Sequence, residues 1–311
     1  MNPETITSAQ NPKLKRLIAL QEKSRLRREE GLFVVEGRRE LEHCIAAGFE
    51  VEAVFVCPEI LGDTWLGNPP SGVRPPGSPH HPFGTVPPLS NMGSLEHAHV
   101  LGYSRGCYVP QGDSPARQHS TFLISKDLYA KVAYREGTEG IIAEVRAKTL
   151  RLADLRLSPK PLVMVLESVE KPGNLGAVLR SADAAGADAV IICDPLTDLW
   201  NPNLIRASIG AVFTVPVVCC SSEEAIAFLK SQGIRILTAQ LQDSSPYYDV
   251  DMTCGTAIIM GTEATGLTGV WREAADAHIL IPMLGRLDSL NVSVSAAILL
   301  YEAVRQRQSR L

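Results

Sequence analysis

Apolar positions in the first part of the chain recur first at helical and then at strand spacing. The pair Asn11-Pro12 is a favourable helix start. Leu14, Leu17 and Ile18 follow it on one helical face. Further elements are predicted as a strand at 32–35, a helix at 38–47 and a strand at 51–56. This alternation predicts a small α/β domain.

The alternation stops between residues 61 and 118. Eight of the twenty positions from Pro69 to Pro88 are proline, so this stretch is unsuited to a packed core. It also contains scattered histidines, whose spacing with the nearby cysteines matches no standard metal site: His80, His81, His97 and His99. We therefore predict a Pro/Gly-rich insertion and no bound metal.

Regular spacing returns after the insertion, with a strand at 122–124, a helix at 126–132 and a strand at 140–145. A polar stretch follows and has the composition of a linker. The sequence thus predicts a first domain over 1–148, a linker over 149–158 and a second domain over 159–311.

The second domain has the pattern of a parallel α/β sheet. Residues 162–166 are apolar throughout, which is typical of a strand buried on both faces. A helical pattern begins at Leu175 and ends at Gly186, before a strand at 189–193. More strands are predicted at 215–218, 234–238, 257–260 and 279–281, and a last helix at 292–307. Either Ser289 or Asn291 could cap that helix.

Composition limits the class of protein. The chain has 311 residues, of which 45% are hydrophobic and 21% charged, as in a folded soluble protein. No apolar stretch approaches the roughly 20 residues of a membrane helix, and the first residues have no secretory pattern, so a cytoplasmic location is expected. Seven cysteines without a C-x-x-C pair are expected to be reduced.

Charge is unevenly distributed. The whole chain has a net charge of -4, but residues 13–39 contain nine basic and four acidic residues. This excess has two interpretations, a docking patch for RNA phosphates or a solvated helix face. The candidate RNA-binding residues are Lys13, Lys15, Arg16, Arg25, Arg27, Arg28 and Arg38.

Three loops that follow strands in the second domain contain its unusual glycines and polar residues. They lie at 172–176, 261–266 and 281–291, where ligands of open α/β sheets usually bind. The glycine spacing around Gly173 is G-x-x-G and not the dinucleotide-binding G-x-G-x-x-G, and the chain has no G-K-[ST] phosphate loop. Common nucleotide sites are therefore disfavoured.

The same loops resemble three motifs of the SpoU/TrmH-like family of the SPOUT superfamily, which are RNA 2'-O-methyltransferases. The motifs are N-x-G-x-x-x-R from Asn174 to Arg180, M-G-T-E-x-x-G-L from Met260 to Leu267, and I-P-M followed by S-L-N-V-S from Ile281 to Ser293. The front of the chain is similar to the family's small substrate-binding domain at 11–13 and 33–37. The insertion has no counterpart in this resemblance.

The resemblance implies an α/β fold with a C-terminal trefoil knot, a rare exception to the rule that chains do not thread loops. It implies S-adenosylmethionine as cofactor, RNA as partner and a homodimer. The cofactor-binding residues it implies are Gly261, Ile281, Met283 and Leu290. The front domain favours ribosomal RNA, with transfer RNA or a non-catalytic RNA-binding relative as alternatives.

The resemblance also implies catalytic roles. Arg180 would act on the ribose 2'-hydroxyl or its phosphate, with Asn174 and Glu263 ordering the site and Ser289 and Asn291 bracing the third loop. A guanidinium does not readily lose its proton, so charge stabilisation suits Arg180 better than the role of base. Taken singly, these residues have ordinary alternatives: helix or turn caps for the other four and a solvated surface position for Arg180.

Overall fold

The structure is a computed structural model of the chain and describes residues 3–62, 119–134, 139–262, 265–286 and 289–308. Most of the predicted insertion, including its histidines, lies outside these residues, as does Glu263. The described residues form two β-sheets, each with its own helices.

The first sheet lies between Glu4 and Arg146. Its elements in chain order are β1 (Glu4–Ile6), α1 (Pro12–Glu22), α2 (Ser24–Glu30), β2 (Leu32–Glu36), α3 (Arg38–Ala46), β3 (Val51–Val56), α4 (Pro58–Leu61), β4 (Ser120–Ile124), α5 (Lys126–Val132) and β5 (Ile141–Arg146). The strand order is β1-β4-β3-β5-β2, in which β5 runs antiparallel to both of its neighbours. The predicted strands and helices of this part are confirmed.

The second sheet lies between Leu162 and Leu280. Its elements are β6 (Leu162–Glu167), α6 (Pro172–Ala185), β7 (Ala189–Cys193), α7 (Pro202–Ser208), α8 (Ala211–Thr214), β8 (Val217–Cys220), α9 (Ser222–Ser231), β9 (Arg235–Ala239), β10 (Ser245–Pro246), β11 (Thr256–Met260), α10 (Gly269–Ala274), β12 (Ala277–Leu280) and α11 (Val292–Gln308). The order is β10-β12-β9-β11-β6-β7-β8, and neighbouring strands are parallel. The predicted α/β class with a parallel sheet is confirmed.

The central strands are apolar because both faces of the sheet are covered. Alternate residues of β6 enter different cores: Met164 packs with α6 and α11, whereas Val163 and Val165 pack with α9 and α10. All residues of β6, β7 and β11 are buried. Their carboxyl ends thus form one rigid edge of the sheet.

Several elements differ from the prediction, either in their bounds or because they were not predicted. Helix α2 was not predicted, because its sequence SRLRREE has a single large apolar residue; Gly31, with a left-handed φ of 64°, ends it. Strand β8 begins two residues later than predicted because residues 211–214 form α8. Ile281 lies just beyond β12 and not within a strand.

The two sheets share an aromatic cluster. Phe33 of β2 stacks on Trp200 with 4.4 Å between ring centroids, and Phe49 and Phe213 complete the cluster. A buried ion pair joins Arg27 of α2 to Asp198 at 2.6 Å. These contacts fix the first sheet relative to the second.

Candidate functional site

The three motif segments follow strands at the carboxyl edge of the second sheet. The first follows β6 and the second follows β11, which are adjacent strands in register along five residue pairs. The third follows β12 and leads into α11, which packs against α6. Ligands of parallel sheets bind beyond this edge, so the geometry agrees with a site there.

The first motif opens α6. The helix begins at Pro172 and its cap is Lys171, so Asn174 lies inside the first turn and the cap interpretation for Asn174 is wrong. Instead, the side-chain oxygen of Asn174 accepts a hydrogen bond from Asn291 Nδ2 at 3.2 Å. The first and third motifs are therefore in contact through these two amides.

Gly176 of this motif allows close packing of two helices. A Cβ at this position would lie 2.6 Å from the Cβ of Ala207 and 2.7 Å from the carbonyl oxygen of Leu204, both on α7. The glycine is thus required by the approach of α7 to α6.

Arg180 is exposed on α6, between the buried residues Leu179 and Ala182. Its guanidinium has no hydrogen-bond or ion-pair partner among the residues that the structure describes. It can therefore contact a ligand without first breaking an internal ion pair.

The second motif forms a tight loop. Thr262 N–H donates to the Gly266 carbonyl at 3.3 Å, and Gly266 N–H donates back to Thr262 at 3.1 Å. A Cβ on Gly261 would lie 2.3 Å from the Gly266 carbonyl, so the loop closes only over a glycine. Glu263, predicted to order this loop, lies outside the described residues.

The third motif combines apolar side chains with a helix cap. Ile281 and Met283 are half-buried, and Leu290 is 38% exposed. Asn291 Oδ1 accepts from Ser293 N–H at 2.9 Å and caps α11, whereas Ser289 is exposed before it. Of the two predicted caps, Asn291 is the one observed.

The sequence did not suggest a role for Glu167, although it ends the apolar strand β6. Its side chain is 2% exposed and accepts bonds from the backbone N–H of Thr268 at 2.9 Å and from its hydroxyl at 2.6 Å. Thr268 follows the second motif directly. The sequence feature that could have identified Glu167 is an acidic residue at the end of an apolar, fully buried strand.

The predicted basic residues of the front part have different environments. Arg27 is 3% exposed and ion-paired to Asp198, so its assignment to an RNA-binding surface is wrong. Four others pair with nearby carboxylates: Lys13 with Glu4, Arg16 with Glu30, Glu52 and Glu144, Arg25 with Glu29, and Arg38 with Glu42. Lys15 and Arg28 are exposed and have no ion-pair partner in the described part of the chain.

Within the described ranges, no group of three or more His, Cys, Asp or Glu side chains is arranged to hold a metal ion. None of the helices described has both the length and the apolar character needed to cross a bilayer.

Comparison with known proteins gives matches in both halves. The model of the SpoU rRNA Methylase family matches residues 161–301, and that of the MRM3-like substrate binding domain matches residues 11–68. The three motifs and the carboxyl edge that they occupy fall within the first match.

Three similar proteins are each at least 33% identical to this chain over more than half of its length. The 23S rRNA (guanosine(2553)-2'-O)-methyltransferase RlmP of Bacillus subtilis (strain 168) is 33% identical over 58% of this chain and 71% of that protein. The 23S rRNA (guanosine-2'-O-)-methyltransferase RlmB of Vibrio vulnificus (strain CMCP6) is 39% identical over 56% of this chain and 73% of that protein. A crystal structure of an RNA 2'-O ribose methyltransferase is 34% identical, with a TM-score of 0.72, and covers 98% of this chain and 99% of that one. On these matches and on its motifs, the chain belongs to the SpoU rRNA methylase family.

Proposed function

We propose that the chain transfers a methyl group from S-adenosylmethionine to a ribose 2'-hydroxyl of RNA, with ribosomal RNA as the substrate class. The observation that best supports this is the meeting of Asn174 and Asn291, which joins the first and third family motifs at the carboxyl edge of the sheet. RlmP and RlmB, both named as 23S rRNA methyltransferases, support ribosomal over transfer RNA.

The residues at this edge suit the cofactor. The Gly261 loop follows β11, and the third motif, with half-buried Ile281 and Met283 and the more exposed Leu290, follows β12 at the same edge of the sheet. Apolar walls and backbone hydrogen-bonding groups match an adenine ring and a thioether chain. When bound, S-adenosylmethionine supplies a methyl group activated by its sulfonium charge.

Arg180 is proposed as the group that stabilises charge on the ribose oxygen. Methyl transfer needs a hydroxyl oxygen with increased negative charge, and a fixed guanidinium favours that charge and can bind the neighbouring phosphate. Asn174 would orient the ribose or Arg180, with Asn291 holding the Asn174 amide and Ser289 bracing the third loop. Glu263 is proposed to order the second loop.

The architecture completes the proposal. We assign RNA binding to residues 1–148, a linker to 149–158 and methyl transfer to 159–311, since the two sheets fall within the first and last of these ranges. A C-terminal trefoil knot is consistent with a chain that leaves β11, forms β12 beyond β9 and returns to pack α11 against α6. A cytoplasmic location stays a prediction.

A homodimer is proposed as the working form. Helix α11 is buried along Ala296, Leu299 and Leu300 but also exposes Val294 at 47% and Tyr301 at 49%. Exposed apolar residues on a helix suit a subunit interface. Light scattering at micromolar concentration is expected to give twice the chain mass, and a monomer with full methylation activity would contradict the proposal.

The central experiment is methylation of RNA by the purified chain. Ribosomal RNA that lacks the modification is incubated with methyl-labelled S-adenosylmethionine, and ribose methylation is mapped by nucleotide. We expect label at the 2'-oxygen of a defined nucleotide, with transfer RNA as the comparison substrate. Cofactor binding without any transfer to either RNA would favour the non-catalytic RNA-binding alternative.

A further inference from the structure

A buried network of hydrogen bonds lies directly beneath the second motif. Its central group is the Glu167 carboxylate, which accepts two bonds from Thr268. No lysine, arginine or histidine among the described residues forms an ion pair with Glu167. A buried carboxylate with no cation is costly, so its hydrogen-bond donors must be held in place around it.

Ser222 extends this network across the sheet. Its hydroxyl lies 2.6 Å from Asp194 Oδ2 and 3.3 Å from Glu167 Oε1, and it accepts a bond from the indole N–H of Trp271 at 3.0 Å. Trp271 is fully buried on α10. The network thus links the ends of β6 and β7 to the first turns of α9 and α10.

The same edge has two strained positions. Ser168 and Asp194 directly follow β6 and β7 and have left-handed φ angles of 51° and 49°. Such angles are unfavourable for residues other than glycine and persist where surrounding contacts enforce them. Here Ser168 N–H donates to the Cys193 carbonyl, and the Asp194 carboxylate is held by Ser222.

Thr268 fixes the position of the chain segment that leaves the second-motif loop. The loop from Gly261 to Gly266 is closed on itself, and β11 fixes its start. Its exit is fixed where Thr268 donates two bonds to Glu167. A carboxylate only accepts, so both donors of Thr268 must point towards it, and this sets the orientation of the segment that leaves the loop.

We propose that Glu167 is a positioning residue for cofactor binding. Its carboxylate fixes Thr268 and so holds the Gly261 loop in the conformation that presents backbone groups to S-adenosylmethionine. Glu167 itself is buried and does not touch the reacting atoms. This inference rests on the proposed function, since it assumes that the Gly261 loop binds the cofactor.

The test measures S-adenosylmethionine binding to the full chain by titration calorimetry, together with thermal melting without ligand. Glu167→Ala is expected to raise Kd about tenfold or more, the scale for a lost buried bond to a charged group. Glu167→Gln keeps an acceptor for the Thr268 N–H and can donate to its hydroxyl, so most of the affinity should return.

Asp188, which directly precedes β7, offers a matched control. Its carboxylate also accepts two backbone N–H bonds, from Ser158 and Leu162 at 2.8 Å each, but at the amino end of β6. Asp188→Ala should lower the melting temperature without changing Kd by more than about twofold. An equal loss of affinity in both alanine variants would mean general destabilisation and would overturn the inference.

The outcomes separate the two proposals. If the parent chain binds no S-adenosylmethionine, the proposed function fails. If the parent binds and Glu167→Ala binds equally well, the positioning role of Glu167 is wrong. Should Glu167→Ala not fold, Thr268→Val decides, because it removes one of the two bonds and keeps the backbone N–H. Parent-like affinity in a folded Thr268→Val would also overturn the inference.

Discussion

Arg180 is the residue at which the functional and structural interpretations differ most. It is exposed and has no partner in the described part of the chain, so removing its side chain should not disturb folding. We expect Arg180→Ala to keep the melting temperature and cofactor affinity while turnover falls on the order of a hundredfold, as when one electrostatic stabiliser is removed. Single-turnover methylation at saturating RNA measures this.

Two further variants are needed to interpret the result for Arg180→Ala. Arg180→Lys keeps the charge but loses the planar fork, so we expect only partial recovery if the guanidinium binds oxygen and phosphate together. Arg272 is an exposed arginine of α10, on the face of the sheet opposite α6, and Arg272→Ala should have the activity of the parent. Turnover of Arg180→Ala within a few-fold of the parent would exclude Arg180 from the mechanism.

Glu144 makes the stability of the first sheet depend on pH. It is buried on β5, and burial raises its pKa from 4.5 to about 7 although Arg16 lies 3.7 Å away. A raised pKa means that the folded state prefers the protonated acid. The resulting stability is present below pH 4.5 and is lost as the pH rises through about 7.

Glu144→Gln should remove this dependence. Relative to the parent, the variant should gain up to roughly 3 kcal/mol in free energy of unfolding above pH 8, and nothing below pH 4, because an amide does not ionise. Urea unfolding at several pH values measures the difference. A difference that stays constant with pH would show that Glu144 does not titrate in this range.

At the scale of the elements, Gly176 tests whether the first motif has a packing role as well as a chemical one. Gly176→Ala would place a Cβ within 2.8 Å of backbone atoms of α7, which cannot move without the helix. We expect a loss of about 1–3 kcal/mol in free energy of unfolding, despite the higher helix propensity of alanine. Chemical denaturation measures it.

Gly173 is the matched control on the same helix. A Cβ there would meet nothing within 4 Å, so Gly173→Ala should leave stability unchanged or slightly raise it. Similar losses at both positions would indicate an effect of the helix backbone and not of contact with α7.

Most elements could be predicted because apolar spacing follows burial. The central strands are apolar at every position, and observed strands such as β6 and β11 match the predictions within one residue. Helix α2 was not predicted because its buried residue is Arg27, whose ion-pair partner Asp198 lies far along the chain. The spacing of apolar residues shows which positions are buried. It does not show which residue, far along the chain, contacts a buried position.

The site was predictable to a similar extent. The three motifs identified the loops, and the structure adds the bond between Asn174 and Asn291. Glu167 could not be found from spacing, because its role depends on Thr268, about a hundred residues later. Contacts of this kind appear only when the order of strands is known, and that order places β11 next to β6.

At the scale of the whole molecule, the first sheet packs against the second. The stacked rings of Phe33 and Trp200 and the buried pair of Arg27 and Asp198 connect them. If the first part binds RNA as proposed, that RNA would lie close to the second sheet. Basic residues that remain free for RNA therefore matter more than the total charge of the segment.

Lys15 and Arg28 are the two predicted RNA-binding residues that are exposed and have no ion-pair partner among the described residues. Replacing both with alanine should weaken RNA binding and lower the slope of log K against log salt by about 1 to 2, since fewer counterions are released. S-adenosylmethionine affinity should not change, because neither residue belongs to the second sheet. Fluorescence titration at several salt concentrations measures the slope.

A control with the same loss of charge separates a docking surface from a general field. Lys230 and Arg272 are exposed on α9 and α10, on the face of the second sheet opposite α6. Their double replacement by alanine should alter RNA affinity and its salt slope much less. The basic segment is a solvated helix face if both double variants give the same salt slope. The same conclusion follows if replacing Lys15 and Arg28 leaves the slope of the parent unchanged. RNA must then bind through other residues of the chain.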